Sequence, residues 1–116
     1  MTRPPRDAEA ALAAIRDVGG DELVQGMLRA FGAFATAQLD WIERQADAGA
    51  HDRVADAARA LRISATQVGA VAVAKACEAA ELAGAGGDAT AVARAMTELA
   101  AAVAAARPWL DALAAG

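Results

Sequence analysis

The apolar residues near the end of the chain constrain the fold most, because they recur alternately four and three residues apart. An α-helix has about 3.6 residues per turn, so this spacing lines the side chains along one side of a helix. Such a seam is typical of a helix packed along its whole length in a bundle. Asp88 caps its start, and Pro108 predicts a kink or restart because proline lacks a backbone N–H group. The seam consists of Val92, Met96, Leu99, Val103, Ala106, Leu110 and Leu113.

The composition also favours helix over strand. Alanine, the best helix former, accounts for about a third of the chain, whereas aromatic residues make up only 3%. The net charge is −4 and no cluster of Lys and Arg is present, so we expect neither nucleic-acid binding nor membrane-surface binding. Arg94, Glu98 and Arg107 interrupt the alanine-rich stretches, so no membrane-spanning segment is predicted.

The start of the chain and its cysteine content indicate the compartment. Residues 1–6 are rich in proline and arginine and no apolar segment follows them, which predicts a flexible leader and no secretion signal. Cys77 is the only cysteine, so no disulfide framework is expected, and a buried, unreactive thiol is the favoured interpretation. We therefore predict a cytoplasmic protein with one domain over residues 7–116.

Upstream of the seam, helical spacing predicts a short helix and three longer ones, capped by Asp7, Asp21 and Asp52. The predicted breaks are Gly19–Gly20, Ala48–Ala50, Gly69 and a loop over Ala83–Gly87. The residues predicted to face the core are Leu12, Ile15 and Val18; then Leu23, Val24, Met27, Leu28, Phe31, Phe34, Ala35, Leu39 and Ile42; then Val54, Ala57, Ala58, Leu61, Ala65 and Val68; then Val73, Ala76, Cys77 and Ala80. Short connections make consecutive helices antiparallel, so we predict an all-α, up-down-up-down four-helix bundle with a short N-terminal helix.

From Ala58 the chain reads Ala-Arg-Ala-Leu-Arg-Ile-Ser-Ala-Thr-Gln-Val-Gly-Ala, with Cys77 and Glu81 following. This stretch resembles the signature of the histidine-phosphotransfer (HPt) family, approximately Ala-His-x-Leu-Lys-Gly-Ser, then an aliphatic residue with Gly-Ala, then Cys-x-x-Leu-Glu. The order of the predicted helices also fits, so the resemblance covers nearly the whole chain and implies an HPt-like bundle. The matching residues are Leu61, Ser64, Ala65, Val68, Gly69, Ala70, Cys77 and Glu81.

The chain departs from the family pattern at the residues that carry out or permit phosphotransfer. Arg59 occupies the position of the phosphorylated histidine, Arg62 that of the lysine, and Ile63 that of the glycine that gives a receiver domain room to approach. A guanidinium stays protonated and has no lone pair with which to accept a phosphoryl group. We therefore expect no catalytic residue at this position. No other catalytic constellation is present, and one histidine with one distant cysteine makes no metal site, so we expect no enzyme activity, cofactor or metal.

The resemblance implies a binding role in two-component signalling. We expect a non-phosphorylatable HPt-like protein that binds a receiver domain or a histidine kinase as competitor, scaffold or regulator. An ordinary solvated helix face is the alternative interpretation of the same residues. If the hairpin pairs about residue 70, Arg59 lies opposite Glu81 and an ion pair between them is predicted. The predicted partner-binding surface consists of Arg59, Arg62, Ile63 and Thr66, bordered by Gln67 and Glu81.

Two other functions remain open at this point. His51 is the only histidine, and phosphotransfer through it would need a different docking geometry, because eight residues of helix separate it from residue 59 by about 12 Å. The chain is alternatively a helical interaction module outside phosphorelays, for instance one that self-associates. The sequence does not determine the oligomeric state.

Overall fold

The computed structural model describes residues 3–116 and consists of four α-helices joined by short connections. They are α1 (Arg6–Asp47), α2 (His51–Gln67), α3 (Val71–Gly86) and α4 (Ala89–Ala115). No strand occurs among the described residues. The predicted all-α class is confirmed.

The helices form a bundle in which each one packs against two neighbours. α1 contacts α2 and α4, and α3 contacts the same two helices from the other side. Side-chain hydrogen bonds join neighbouring helices: Gln38 Nε2 donates to the carbonyl oxygen of Ala57 at 3.1 Å, and Arg29 Nη1 donates to that of Ala114 at 3.0 Å. The arrangement is the predicted up-down-up-down bundle, with extents of 43 × 26 × 21 Å.

The core combines a few large side chains with many alanines. Leu28, Ile42, Leu61, Leu99 and Leu110 are its largest fully buried residues. Buried alanines allow the helix axes to approach closely, at the cost of little apolar area per residue. The predicted seam of α4 is confirmed: its first six members are buried, and its last is partly buried against the core.

The N-terminal part of α1 is set off from the rest by a break at Gly20, whose backbone angles are not helical. The segment before the break packs over the turn between α2 and α3. There Gly69 adopts φ +73°, and a Cβ added to it would lie 2.7 Å from both Ala8 Cα and the carbonyl oxygen of Asp7. Only glycine suits this position, because L-residues disfavour the left-handed conformation and no space remains for a side chain.

Two expectations for this N-terminal segment are wrong in detail. Leu12 is buried and Ile15 is partly buried as predicted, but Val18 is 85% exposed, because the helix breaks before its face reaches the bundle. Asp21 was expected to cap the helix after the break. Its Oδ1 instead accepts a hydrogen bond from Arg16 Nε at 2.7 Å, which ties the two parts of α1 together.

The helix starts differ slightly from the predicted caps. α1 begins at Arg6 with Asp7 in its first turn, and α2 begins at His51 with Asp52 in its first turn; neither carboxylate is the cap. Asp88 does cap α4, since its Oδ1 accepts from backbone N–H groups two and three residues later, at 2.9 and 3.5 Å. Of the predicted leader, Met1 and Thr2 lie outside the described residues.

The predicted loop over Ala83–Gly87 is wrong, because α3 continues as far as Gly86. Tertiary contact explains the extra helical turn. A Cβ on Gly84 would lie 2.7 Å from the carbonyl oxygen of His51, so the missing side chain lets α3 pack directly on the backbone of α2. Gly84 therefore allows α3 to pack closely on α2 and does not end the helix. The helix ends at Gly86, and Gly87 follows it in the left-handed conformation.

The last helix runs through Pro108 as one element, so the predicted restart is wrong. Ala104, whose carbonyl loses its usual N–H partner, is exposed, and water can satisfy the freed oxygen. On length and composition alone, α4 also qualifies as a candidate membrane span, with an 18-residue window of mean hydropathy 1.3. A core helix passes the same test, and α4 buries its seam against α1 and α3.

Candidate functional site

The outward face of α2 carries most of the predicted partner-binding surface. Arg59, Ile63, Thr66 and Gln67 are all exposed, and the side chain of Ile63 is 48% accessible. They share this face because the opposite side of α2, with Leu61 and its neighbours, is buried in the core. The structure thus brings five of the six predicted residues together on one helix, four of them on its exposed face and Arg62 beside them.

The other two predicted residues form an ion pair that joins α2 to α3. Arg62 Nε donates a short hydrogen bond to Glu81 Oε2, and Arg62 Nη2 donates to Glu81 Oε1 at 3.2 Å. The side chains are only 34% and 20% exposed, and the two-pronged geometry matches a planar guanidinium to a carboxylate. The hydrogen bond and charge of Glu81 raise the pKa of Arg62 above its usual value.

The predicted ion pair between Arg59 and Glu81 is wrong. Glu81 binds Arg62 of α2 instead. Arg59 lies almost one turn away on the exposed face. Its charge is therefore presented to solvent, whereas the charge of Arg62 is neutralised within the fold.

Cys77 lies in the core next to this ion pair. Its side chain has no accessible surface, and burial, reinforced by the negative charge of Glu81, raises its pKa to about 12. A thiol with so high a pKa carries almost no thiolate at neutral pH. The prediction of a buried cysteine is confirmed, and its lack of reactivity stays a prediction.

The histidine alternative concerns the opposite end of α2. His51 is the first residue of that helix, partly buried, and lines a cavity of about 400 Å³ with Glu43, Asp47 and Met96. About 12 Å of helical rise separates it from residue 59. Among the described residues, no group of three His, Cys, Asp or Glu side chains is arranged to hold a metal ion.

Sequence reasoning missed an apolar extension of this surface on α1. Leu23 and Phe34 were predicted to face the core, but they are 39% and 37% exposed, and Trp41 is 43% exposed. Phe34 lines a groove of about 280 Å³ between α1 and α2, beside Gln67. The signal was present in the sequence, because the apolar band of α1 is too wide for one buried face.

Comparison with known proteins does not identify the chain. No protein-family model matches it, and neither the curated proteins nor the solved structures contain a significant match. The resemblance to HPt proteins rests on the motif between Ala58 and Glu81, and it stays a prediction.

Proposed function

We propose that this chain is a non-phosphorylatable HPt-like protein that binds a receiver domain or a histidine kinase and does not accept a phosphoryl group from it. It acts in two-component signalling as competitor, scaffold or regulator, through the outward face of α2. Two observations support this function: the motif resemblance, and the exposure of the motif residues on the outward face of α2.

The exposed Ile63 is the observation that carries the proposal. A large aliphatic side chain that is 48% accessible lies within one turn of Arg59, Thr66 and Gln67. An apolar centre with a polar, partly charged rim is the usual composition of a protein-binding surface. The motif places this centre where a phosphotransfer protein would present its histidine.

The charges on this face favour an acidic partner. Glu81 neutralises Arg62, so the cation displayed beside Ile63 is Arg59. The phosphorylation pocket of a receiver domain is lined by acidic residues, and Arg59 would meet them. An exposed charge of this kind contributes mainly to orientation and association rate, with a strong dependence on salt.

The test measures binding of the purified chain to the receiver domains and histidine kinases of its host, with and without a phosphoryl mimic on the receivers. Ile63→Glu should abolish binding, because it places a carboxylate at the apolar centre and against an acidic pocket. Leu82→Glu is the matched control, since Leu82 is 70% exposed on α3 and lies outside the proposed surface. Arg59→Gln should lower the association rate and reduce its salt dependence.

Two results would contradict the proposal. One is the absence of binding to every receiver and kinase of the host. The other is binding that Ile63→Glu and Leu82→Glu reduce equally, because the surface would then lie elsewhere. Acid-labile phosphate on the protein, lost in His51→Ala, would show instead that the chain is a phosphotransfer protein.

A further inference from the structure

α1 carries a second apolar stripe that the bundle does not use. Its members follow one another at intervals of four, three, four, three and four residues, the spacing of a helix that packs against another helix. The core-facing stripe of α1 is separate and includes Val24, Leu28, Phe31 and Ala35. We call the unused set the outer stripe; it consists of Leu23, Met27, Ala30, Phe34, Ala37 and Trp41.

The outer stripe is largely open to solvent. Its three largest exposed members are Leu23, Phe34 and Trp41, at 39%, 37% and 43%. Ala30 and Ala37 are also exposed, and Met27 is partly buried at the groove beside α2. Three of the six large exposed apolar side chains of the described residues therefore lie on one helix face. Clustering of this kind marks an interaction surface, whereas scattered exposed apolar residues do not.

We propose that the outer stripe is the contact between two copies of this chain, packed antiparallel about a twofold axis between Phe34 and Ala37. In such a contact two residues that face each other, one from each copy, have numbers that add to 71. Phe34 therefore faces Ala37 of the second copy, and Trp41 faces Ala30. At the centre of the contact each large side chain then faces a small one, as interdigitating helices require, whereas Met27 and Leu23 lie opposite Arg44 and Ala48. A twofold contact uses the same patch on both subunits, and the sizes of its four central residues, Ala30, Phe34, Ala37 and Trp41, are self-complementary.

The charges around the outer stripe permit this contact although the chain as a whole is acidic. Asp40 and Arg44 border the stripe and form an ion pair at 2.7 Å, with Arg44 also near the ring of Trp41. Arg53 and Asp56 line the open groove next to Trp41. These four groups have charges of −1, +1, +1 and −1, which sum to zero. Glu22 lies beside Leu23 on the same side of α1 as Asp40 and adds one negative charge, so each face carries a net charge of −1 and the repulsion between two faces is weak.

The size of the face agrees with a weak but specific dimer. From Leu23 to Trp41 the stripe is about 27 Å long, and together with the flank of α2 it is about 20 Å wide. Such a footprint buries about 1,100 Å² over both subunits, close to the lower limit for a specific interface. We therefore expect association in roughly the micromolar range.

The experiment is sedimentation of the purified full chain over a range of roughly 1 to 500 µM. We expect the mass to rise from the 11.6 kDa of the monomer towards twice that value. Phe34→Glu should weaken association at least tenfold, whereas Val18→Glu, at an 85% exposed position off the stripe, should leave it unchanged. Circular dichroism confirms that each variant keeps its helices.

Exchanging the large and the small side chain at positions 34 and 37 tests the register of the two helices as well as the choice of the outer stripe. Ala37→Phe alone sets two phenylalanines against each other, and Phe34→Ala alone leaves a gap, so each should weaken the dimer. The double variant Phe34→Ala, Ala37→Phe restores a large residue opposite a small one and should recover association. A monomer at every concentration, or a double variant weaker than both single variants, overturns the proposal. The dimer face adjoins the proposed partner-binding surface at the groove beside Gln67, so receiver binding is measured at concentrations where the chain is monomeric. Loss of receiver binding in Ile63→Glu and loss of the dimer in Phe34→Glu then report the two proposals separately.

Discussion

Replacement of Gly69 by alanine tests how the N-terminal segment is joined to the bundle. The residue has φ +73°, and a Cβ on it would lie 2.7 Å from Ala8 Cα and 2.9 Å from Ala11 Cβ. Gly49 provides a matched control, because it has φ +71° and nothing within 4 Å of the position of its Cβ. Both variants place an alanine in the left-handed backbone conformation, which costs free energy in each. Only the Cβ at position 69 also clashes with neighbouring atoms.

The expected magnitudes follow from these two contributions. An L-residue in the left-handed region costs about 1–2 kcal/mol, and the stiffer unfolded chain of alanine offsets about half of that. Gly49→Ala should therefore lower the free energy of unfolding by about 0.5–1 kcal/mol. Gly69→Ala adds overpacking of about 1–3 kcal/mol, because the atoms that must move belong to backbone and to a packed alanine.

Urea denaturation of both variants measures the difference, and hydrogen exchange locates it. We expect Gly69→Ala to be less stable than Gly49→Ala by at least about 1 kcal/mol. Amides between Ala8 and Val18 should lose protection selectively in Gly69→Ala, because the N-terminal segment is the part displaced. Equal stability of the two variants, or unchanged protection of this segment, would refute the argument that it docks on the turn through Gly69.

Three further predictions concern the Arg62–Glu81 ion pair, two glycines of α3 and the buried thiol of Cys77. A double-mutant cycle on Arg62→Ala and Glu81→Ala in urea denaturation should show a favourable coupling that falls at high salt, and no coupling would contradict the two-pronged pair. Gly84→Ala should lower the free energy of unfolding by about 1–3 kcal/mol through its clash with α2, whereas Gly86→Ala, with open space around it, should raise it by about 0.5–1 kcal/mol. Cys77 should react with a thiol reagent only through unfolding. Folding raises the pKa of the Cys77 thiol from 9.0 to about 12, so the stability that the thiol contributes is complete below pH 9 and is lost as pH rises towards 12. A pH titration of the thiolate absorbance should therefore show no ionisation near pH 9 in the folded protein. Tyrosine does not interfere with this measurement, because the chain contains none.

The candidate site was predicted in part. Exposure of Arg59, Ile63 and Thr66 follows from the helical period once Leu61 is placed in the core. The partner of Glu81 could not be predicted, because Arg59 and Arg62 lie almost one turn apart on α2 and the helical period alone does not say which of them faces α3. That choice depends on how α2 is rotated against α3, which tertiary contacts such as the one at Gly84 decide.

The wide apolar band of α1 shows the same limit. Its spacing established a helix with more apolar surface than one core face needs, but the spacing could not say which residues stay outside. The positions of α2 and α4 decided that Phe31 is buried while Phe34 remains exposed.

The sequence by itself determined the all-α class, the seam of α4, the break at Gly20 and the turn at Gly69, because these depend on local backbone preference and on helical period. Tertiary structure alone decided that α3 continues through its glycines, that Pro108 stays within a helix, and that Glu81 pairs with Arg62. Each of these depends on what lies across a helix interface or on whether water reaches a carbonyl, and local sequence carries neither kind of information.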